Sequence, residues 1–165
     1  MRLTNKDGTS NFVGSKDDNY TTPKIAWELI FQYISCDAKK VWQPFFNEGK
    51  AGEYLKELNI NSYHEDKDFF EYEPEFDYLI DNPQYSIKER ILKRCIELDK
   101  PFALLLPMDT LERRYFKKLF DGKDLTIIIP NKRFNFYGGE NKGSAPFKTA
   151  WFCYNFNLGQ QLIFQ

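Results

Sequence analysis

Histidine is almost missing from this sequence: His64 stands alone. A zinc centre built on several imidazoles is therefore excluded, and a serine-type triad could only use His64 as its base. Cysteine is scarce as well. Cys36, Cys95 and Cys153 are odd in number, far apart and set within apolar periodic stretches. That pattern reads as reduced core thiols of an intracellular protein, with neither a disulfide frame nor a metal site. No run approaches the roughly 18 apolar residues of a membrane span. Met1-Arg2-Leu3 leads straight into polar residues, which is not a signal-peptide pattern. These absences lead us to expect a cytoplasmic protein with no membrane partner and no metal. The dinucleotide fingerprint G-x-G-x-x-G is also absent.

Aromatic residues are plentiful, at 18% with 16 Phe and 10 Tyr among 165 residues. That supplies enough apolar surface for one domain over 1–165, with the polar residues 1–19 expected to be loose. The net charge of −1 is unevenly distributed. From residue 100 onward there are 10 basic and 5 acidic residues; before it, 13 basic and 19 acidic. A basic carboxyl-terminal half suits a polyanionic partner, although solvated faces of one helix and one loop would give the same count.

Along the chain, Thr22 is a good N-cap and Pro23 a good first helical residue. Ile25, Trp27, Leu29, Ile30, Phe31 and Tyr33 then make a helical stripe to about Ser35. Val41 to Phe46 reads as a strand, Asn47-Glu48-Gly49 as a tight turn, and Ala51 to Leu58 as a helix. Asn47 and Gly49 are residue types that tolerate a left-handed backbone, and such a turn brings N–H groups near a ligand. Residues 60–65 suit a second strand. Just past its last residue, Glu65, an acid beside a ring, Asp68 with Phe69, suits an adenosine; a charged loop over core phenylalanines is the plainer alternative. A helix over about 86–99, the continuous apolar run 102–107, a basic helix over 111–120 capped by Asp109 and Thr110, and a strand over 125–130 follow. Thr149 to Tyr154 and Leu162 to Phe164 are expected to close the sheet as a hairpin around Gly159. Strands alternating with helices imply an α/β fold, with a mostly parallel sheet ending in antiparallel strands.

Phe76 to Ile80 forms an apolar run that ends in Asp81-Asn82-Pro83-Gln84-Tyr85. This predicts a strand entering a rigid turn, which presents Asn82 and Tyr85 at a carboxyl end, where open α/β sheets bind ligands. Asn82 offers an acceptor, Pro83 fixes its own carbonyl, and Tyr85 offers a flat face. An ordinary turn with Tyr85 packed on the next helix is the competing reading.

Taken together these segments resemble a small class I S-adenosylmethionine-dependent methyltransferase, most of all the DNA N6-adenine methyltransferases of phages and large DNA viruses. The resemblance runs from about Tyr20 to Tyr154. Thr22-Pro23 is similar to the cofactor-side amino-terminal motif. Gln43-Pro44-Phe45-Phe46-Asn47-Glu48-Gly49 resembles the D/E-P-F-x-G-x-G turn. Asp68-Phe69-Phe70 resembles the adenine-binding acid and ring, and Asn82-Pro83-Gln84-Tyr85 the catalytic N-P-P-Y/F. Residues 133–137 and 146–151 resemble late family segments. The likeness implies a Rossmann-like sheet with helices on both faces, compressed after the second strand.

It also implies residue roles. Thr22, Pro23, Gln43, Pro44, Phe45, Asn47, Gly49, Glu65, Asp68, Phe69 and Asn82 would bind S-adenosylmethionine. Asn82, Pro83 and Tyr85 would be catalytic. Arg113, Arg114, Lys132, Arg133, Lys142 and Lys148, with 131–148 as a substrate loop, would meet nucleic acid, DNA before RNA. Three positions depart from the pattern: Gln43 replaces an acid, Asn47 a glycine and Gln84 the second proline. RNA or protein-amide methylation, or an inactive binding relic, are the alternatives.

Overall fold

A computed structural model describes residues 20–34, 40–136 and 148–165. Its centre is one seven-stranded sheet in the order β2-β1-β3-β4-β6-β5-β7. The first two strands are short: β1 (Val41–Trp42) and β2 (Ser62–Tyr63) pair in parallel. Pro44 has no N–H for a ladder, which helps stop β1 at Trp42, four residues before the apolar run ends at Phe46. β3 (Tyr78–Asp81) lies parallel to β1 on one side and to β4 (Phe102–Pro107) on the other. All six residues of β4 are buried, as expected of a strand covered on both faces. β6 (Thr149–Tyr154) runs antiparallel between β4 and β5 (Leu125–Ile129). Its six residues are buried too.

The expected terminal hairpin does not form. β7 (Leu162–Phe164) crosses over β6 and joins β5 in parallel, with Ile127, Ile128 and Ile129 opposite Leu162, Ile163 and Phe164. Antiparallel pairing at the carboxyl end is carried by β6. Between β2 and β3, residues 64–77 hold no helix or strand, which is the anticipated compression.

Helices cover both faces. α1 (Lys24–Phe31) and α2 (Lys50–Glu57) pack against Val41, Ile80, Ala103, Leu105, Ile128, Trp151 and Cys153. α3 (Lys88–Leu98) and α4 (Arg114–Phe120) pack against Trp42, Leu79, Leu104, Ile127 and Phe152. The chain steps outward from β1 through α2 to β2, then returns to the other side of β1 and moves on through α3. Right-handed crossovers moving in opposite directions put their helices on opposite faces. The reversal lies between β1 and β3, and a crevice at the carboxyl ends of such a pair is the ligand position of open α/β sheets.

Several local expectations are corrected. Ile25 is 62% exposed, and α1 buries Ala26, Trp27 and Ile30 instead. Trp27 faces Trp151 with ring centroids 5.5 Å apart. The N-cap position of α1 is Pro23, without a side-chain cap bond. The basic helix is split: a 3₁₀ segment (Met108–Glu112) precedes an extended Arg113, and α4 begins at Arg114 without a bond from Asp109 or Thr110 to its end. Cys95 and Cys153 are free and buried, and burial pushes both thiols well up. Cys36 lies outside the described residues. Among the described residues there is no group of three or more potential metal ligands, and no helix is long and apolar enough to cross a membrane.

Candidate active site at the β1–β3 switch point

The site begins with a carboxylate that the sequence reading passed over. Asp81, the last residue of β3, is 2% exposed. Its Oδ2 accepts the Phe45 N–H at 2.7 Å, and its Oδ1 accepts the Asn82 N–H at 2.8 Å. One side chain thus joins the turn after β1 to the turn after β3. Loss of water around the carboxyl pushes its pKa well above the usual carboxylate range, while the two N–H groups pull it back. The signal was available: an acid closing an apolar strand directly before Asn-Pro is a buried-polar candidate.

Asn82 is fixed from two sides. Its Nδ2 donates to Thr22 Oγ1 at 2.8 Å, and its Oδ1 accepts the Tyr85 hydroxyl at 2.8 Å. Thr22 is 6% exposed, and its hydroxyl serves Asn82 instead of the helix end. Pro83 is buried, and Gln84 takes φ −66° and ψ 121°. That φ is what proline would impose, so the loss of the second proline leaves the turn's local geometry intact. Tyr85 is half-buried and packs against the core cluster on the α3–α4 face of the sheet.

The turn after β1 has the backbone its residue types suggested. Asn47 has φ 29° and Gly49 φ 77°, and the Gly49 N–H donates to the Phe46 carbonyl at 2.7 Å. Asn47 Nδ2 donates to the Tyr20 carbonyl at 3.0 Å. A Cβ on Gly49 would sit 3.1 Å from the Phe46 ring. Gln43 is fully buried, and neither Oε1 nor Nε2 has a hydrogen-bond partner. Its backbone is paired, the N–H with the Tyr63 carbonyl at 2.8 Å and the carbonyl with His64 Nδ1 at 3.1 Å. His64 Nε2 is buried without a partner as well. Burial pulls the His64 pKa down, which keeps the ring neutral with Nδ1–H as the donor to Gln43. Gly52 makes this packing possible, because a Cβ there would lie 2.7 Å from His64 Cδ2.

A cavity of about 20 Å³ lies between the two turns. Thr22, Phe45, Asn47 and Asn82 line it, with Asp81 and Lys50, which the sequence reading missed. Pro44 is buried beside Gln43 at the strand end. The remaining cofactor candidates sit elsewhere. Glu65 is exposed. Asp68 caps its own turn, with Oδ1 accepting the Phe70 N–H at 2.8 Å. Phe69 is 1% exposed, enclosed by Trp42, Phe45 and Phe70 at centroid distances of 5.5, 5.2 and 5.2 Å. Phe70 is the partly open ring of the pair, and the Arg90 guanidinium lies 3.8 Å over it.

The basic candidates share the carboxyl edge of the sheet. Arg113 and Arg114 follow β4, Lys132 and Arg133 follow β5, and Lys148 precedes the antiparallel β6, its carbonyl accepting the Met108 N–H at 2.9 Å. All five are exposed. Arg113 is paired with Asp109 at 2.5 Å. Lys142 and most of the proposed substrate loop lie outside the described residues. A second, larger cavity of about 530 Å³ lies beside α1, lined by Pro23, Lys132 and Arg133 among others.

No family model matches the sequence, and no curated protein matches it. Solved structures do. The crystal structure of TrmN from Thermus thermophilus matches at 13% identity with a TM-score of 0.41, over 79% of this chain and 48% of that one. The chain thus spans about half the length of that protein. Precorrin-6y C5,15-methyltransferase from Geobacter metallireducens GS-15 matches at 12% identity with a TM-score of 0.43, over 86% of this chain and 94% of that one. The chemistry of the site rests on its own geometry, not on these similarities.

Proposed function

We propose that the protein is an S-adenosylmethionine-dependent methyltransferase acting on the N6 amino group of adenine in DNA. The supporting observation is Asn82: an amide held at both ends, at the carboxyl tip of β3, on a polar cavity at the sheet's switch point. The residues present suit the cofactor's polar end. Gln43 holds an unpaired buried amide at the same strand tips, and Asn47, Lys50 and Asp81 line the cavity. Thr22, Gln43, Phe45, Asn47 and Asn82 are the residues that would hold it. When bound, the cofactor would supply an electrophilic methyl group on a sulfonium.

The protein's own task is to make a conjugated amine nucleophilic. An amide oxygen has two lone pairs, and the Tyr85 hydroxyl engages one of them. The other can accept an amino hydrogen. The Pro83 carbonyl, in a turn of fixed φ, can accept the second. Two acceptors below the plane of the base draw the nitrogen towards a pyramidal shape and free its lone pair. Positive charge would grow on that nitrogen as it took up the methyl group. Acceptors already in place stabilise that charge without reorganising. The nitrogen then sheds one hydrogen as a proton to water. Tyr85, with its hydroxyl kept on Asn82, would offer the base the open part of its ring. A base in duplex would have to be flipped out, at a cost of a few kcal/mol.

The test is transfer of radiolabelled methyl from the cofactor to single-stranded DNA, duplex DNA, RNA and protein offered side by side, followed by nucleoside analysis. N6-methyladenine in DNA is expected. Label on RNA or a protein amide alone would move the substrate, and calorimetry showing no cofactor binding would end the reading.

A further inference from the structure

The 530 Å³ cavity is a groove between α1 and the segment that follows β5. Its volume is in the range that takes a small organic ligand. One wall is apolar, with Pro23, Ile25 and Leu29. Ile25 is 62% exposed there, in the first turn of a helix that buries Ala26, Trp27 and Ile30. The other wall carries Lys132 and Arg133, both exposed. The groove and the active-site cavity are lined by consecutive residues of one segment, Thr22 on the cavity and Pro23 on the groove. Pro23 follows Thr22, whose hydroxyl holds the Asn82 amide at 2.8 Å.

An apolar wall facing two cations suits a ligand with a flat apolar part and an anionic part, joined at short range. A nucleotide has that form: a base that lies on aliphatic side chains and a phosphate that meets Lys and Arg. Gln32 and Asn135 add amide donors and acceptors for a base edge, and the Glu28 carboxylate can accept from an exocyclic amine. We propose that this groove is the subsite for the unpaired nucleotide next to the target base, so that the protein takes its nucleic acid single-stranded. The proposal rests on the nucleic-acid reading above and adds the strandedness. A base paired in duplex would have its edge hidden and its faces stacked, and could not lie on Ile25.

The experiment is fluorescence anisotropy with a labelled short deoxyoligonucleotide containing one adenine among pyrimidines. It is run single-stranded, annealed to its complement, and as the RNA of the same sequence. Wild type is compared with Ile25→Glu, which is compatible with the dipole at the start of α1, and with Arg133→Ala. Both sites are exposed, and unchanged melting temperature and cofactor binding confirm intact folds. The single strand, as DNA or RNA, should bind about tenfold or more tighter than the duplex, and each variant should weaken it about tenfold. Arg133→Ala should also lower the salt slope of single-strand binding by about 0.7. Duplex binding as tight as the better single strand, or variants that bind single strands like wild type, would overturn the proposal. The two readings separate cleanly. Groove-dependent binding with no methyl incorporated leaves the subsite and removes the methyltransferase. Methyl incorporation with groove-independent binding does the reverse.

Discussion

The tips of β1 and β3 stand side by side in the sheet, yet they differ in how completely their polar groups are paired. At β3, both Asp81 oxygens accept backbone N–H groups, and the Asn82 amide is engaged at both ends. At β1, both polar atoms of the buried Gln43 side chain lack partners, and His64 Nε2 lacks one beside it. A buried donor or acceptor left unpaired costs about 1–3 kcal/mol. Among the described residues, one tip has its polar side chains paired and the other does not. That division suits the proposed function: groups that would grip a reacting amine gain by being rigid beforehand, and groups that would meet a polar cofactor gain by having been left unpaired.

Breaking the paired tip should have the largest effects. Asn82→Ala should lower methyl transfer by about 10³-fold, the scale of losing a preorganised acceptor, with cofactor binding by calorimetry largely kept. Equal incorporation in mutant and wild type would defeat the assignment. Asp81→Ala orphans the Phe45 and Asn82 N–H groups and should cost about 2–5 kcal/mol in urea unfolding. It should also change the pH profile. Because the folded pKa of Asp81 is raised by burial, the folded chain holds a proton that the unfolded chain has released. Wild-type stability should therefore fall as pH rises from about 4, the ordinary Asp value, through the raised value, and the mutant should lose that slope. A parallel mutant profile would show that Asp81 is not titrating in the fold.

Changing the unpaired tip should give smaller effects of opposite sign. Gln43→Met keeps the shape and removes two orphaned atoms, so the cofactor-free chain should gain about 1–2 kcal/mol in thermal unfolding. Cofactor affinity should drop about tenfold in the same variant. A gain in stability without a loss of affinity would mean that Gln43 serves only the core. Smallest of all, Gln84→Pro should raise stability by about 0.5–1 kcal/mol, because the native φ of −66° already fits proline. A destabilised variant would show that the Gln84 N–H is needed.

The sequence made the sheet easier to read than its closure. The run over 102–107 and the stripe over 86–99 behave as their periods say, because a central strand and an amphipathic helix are dictated by local pattern. The switch-point turns were likewise readable: Asn47 and Gly49 take positive φ where small or amide side chains suggested it. What failed depended on distant partners. Thr22 looks like a cap within its own segment, yet Asn82, 60 residues away, takes its hydroxyl. Leu162 to Phe164 looks like the second arm of a hairpin, yet β5 is the edge with open ladder groups. Of two adjacent phenylalanines, period alone cannot say which goes inside; Phe69 meets Trp42 and Phe45, which leaves Phe70 to Arg90. Asp81 escaped notice because its value lies in two backbone groups, one of them 36 residues earlier.

The antiparallel strand β6 sits between β4 and β5, although it is made after both. Its Trp151 also donates an indole N–H at 3.0 Å to the Ala26 carbonyl, across 125 residues of chain. During synthesis, then, β4 can pair with β3, but β5 emerges before the strand that joins it to β4, and the middle of the sheet stays open until β6 follows. Non-local closure of this kind is slow. Until then the nascent chain must keep two greasy edges apart, and a chain stopped before residue 149 would lack the strand that joins them.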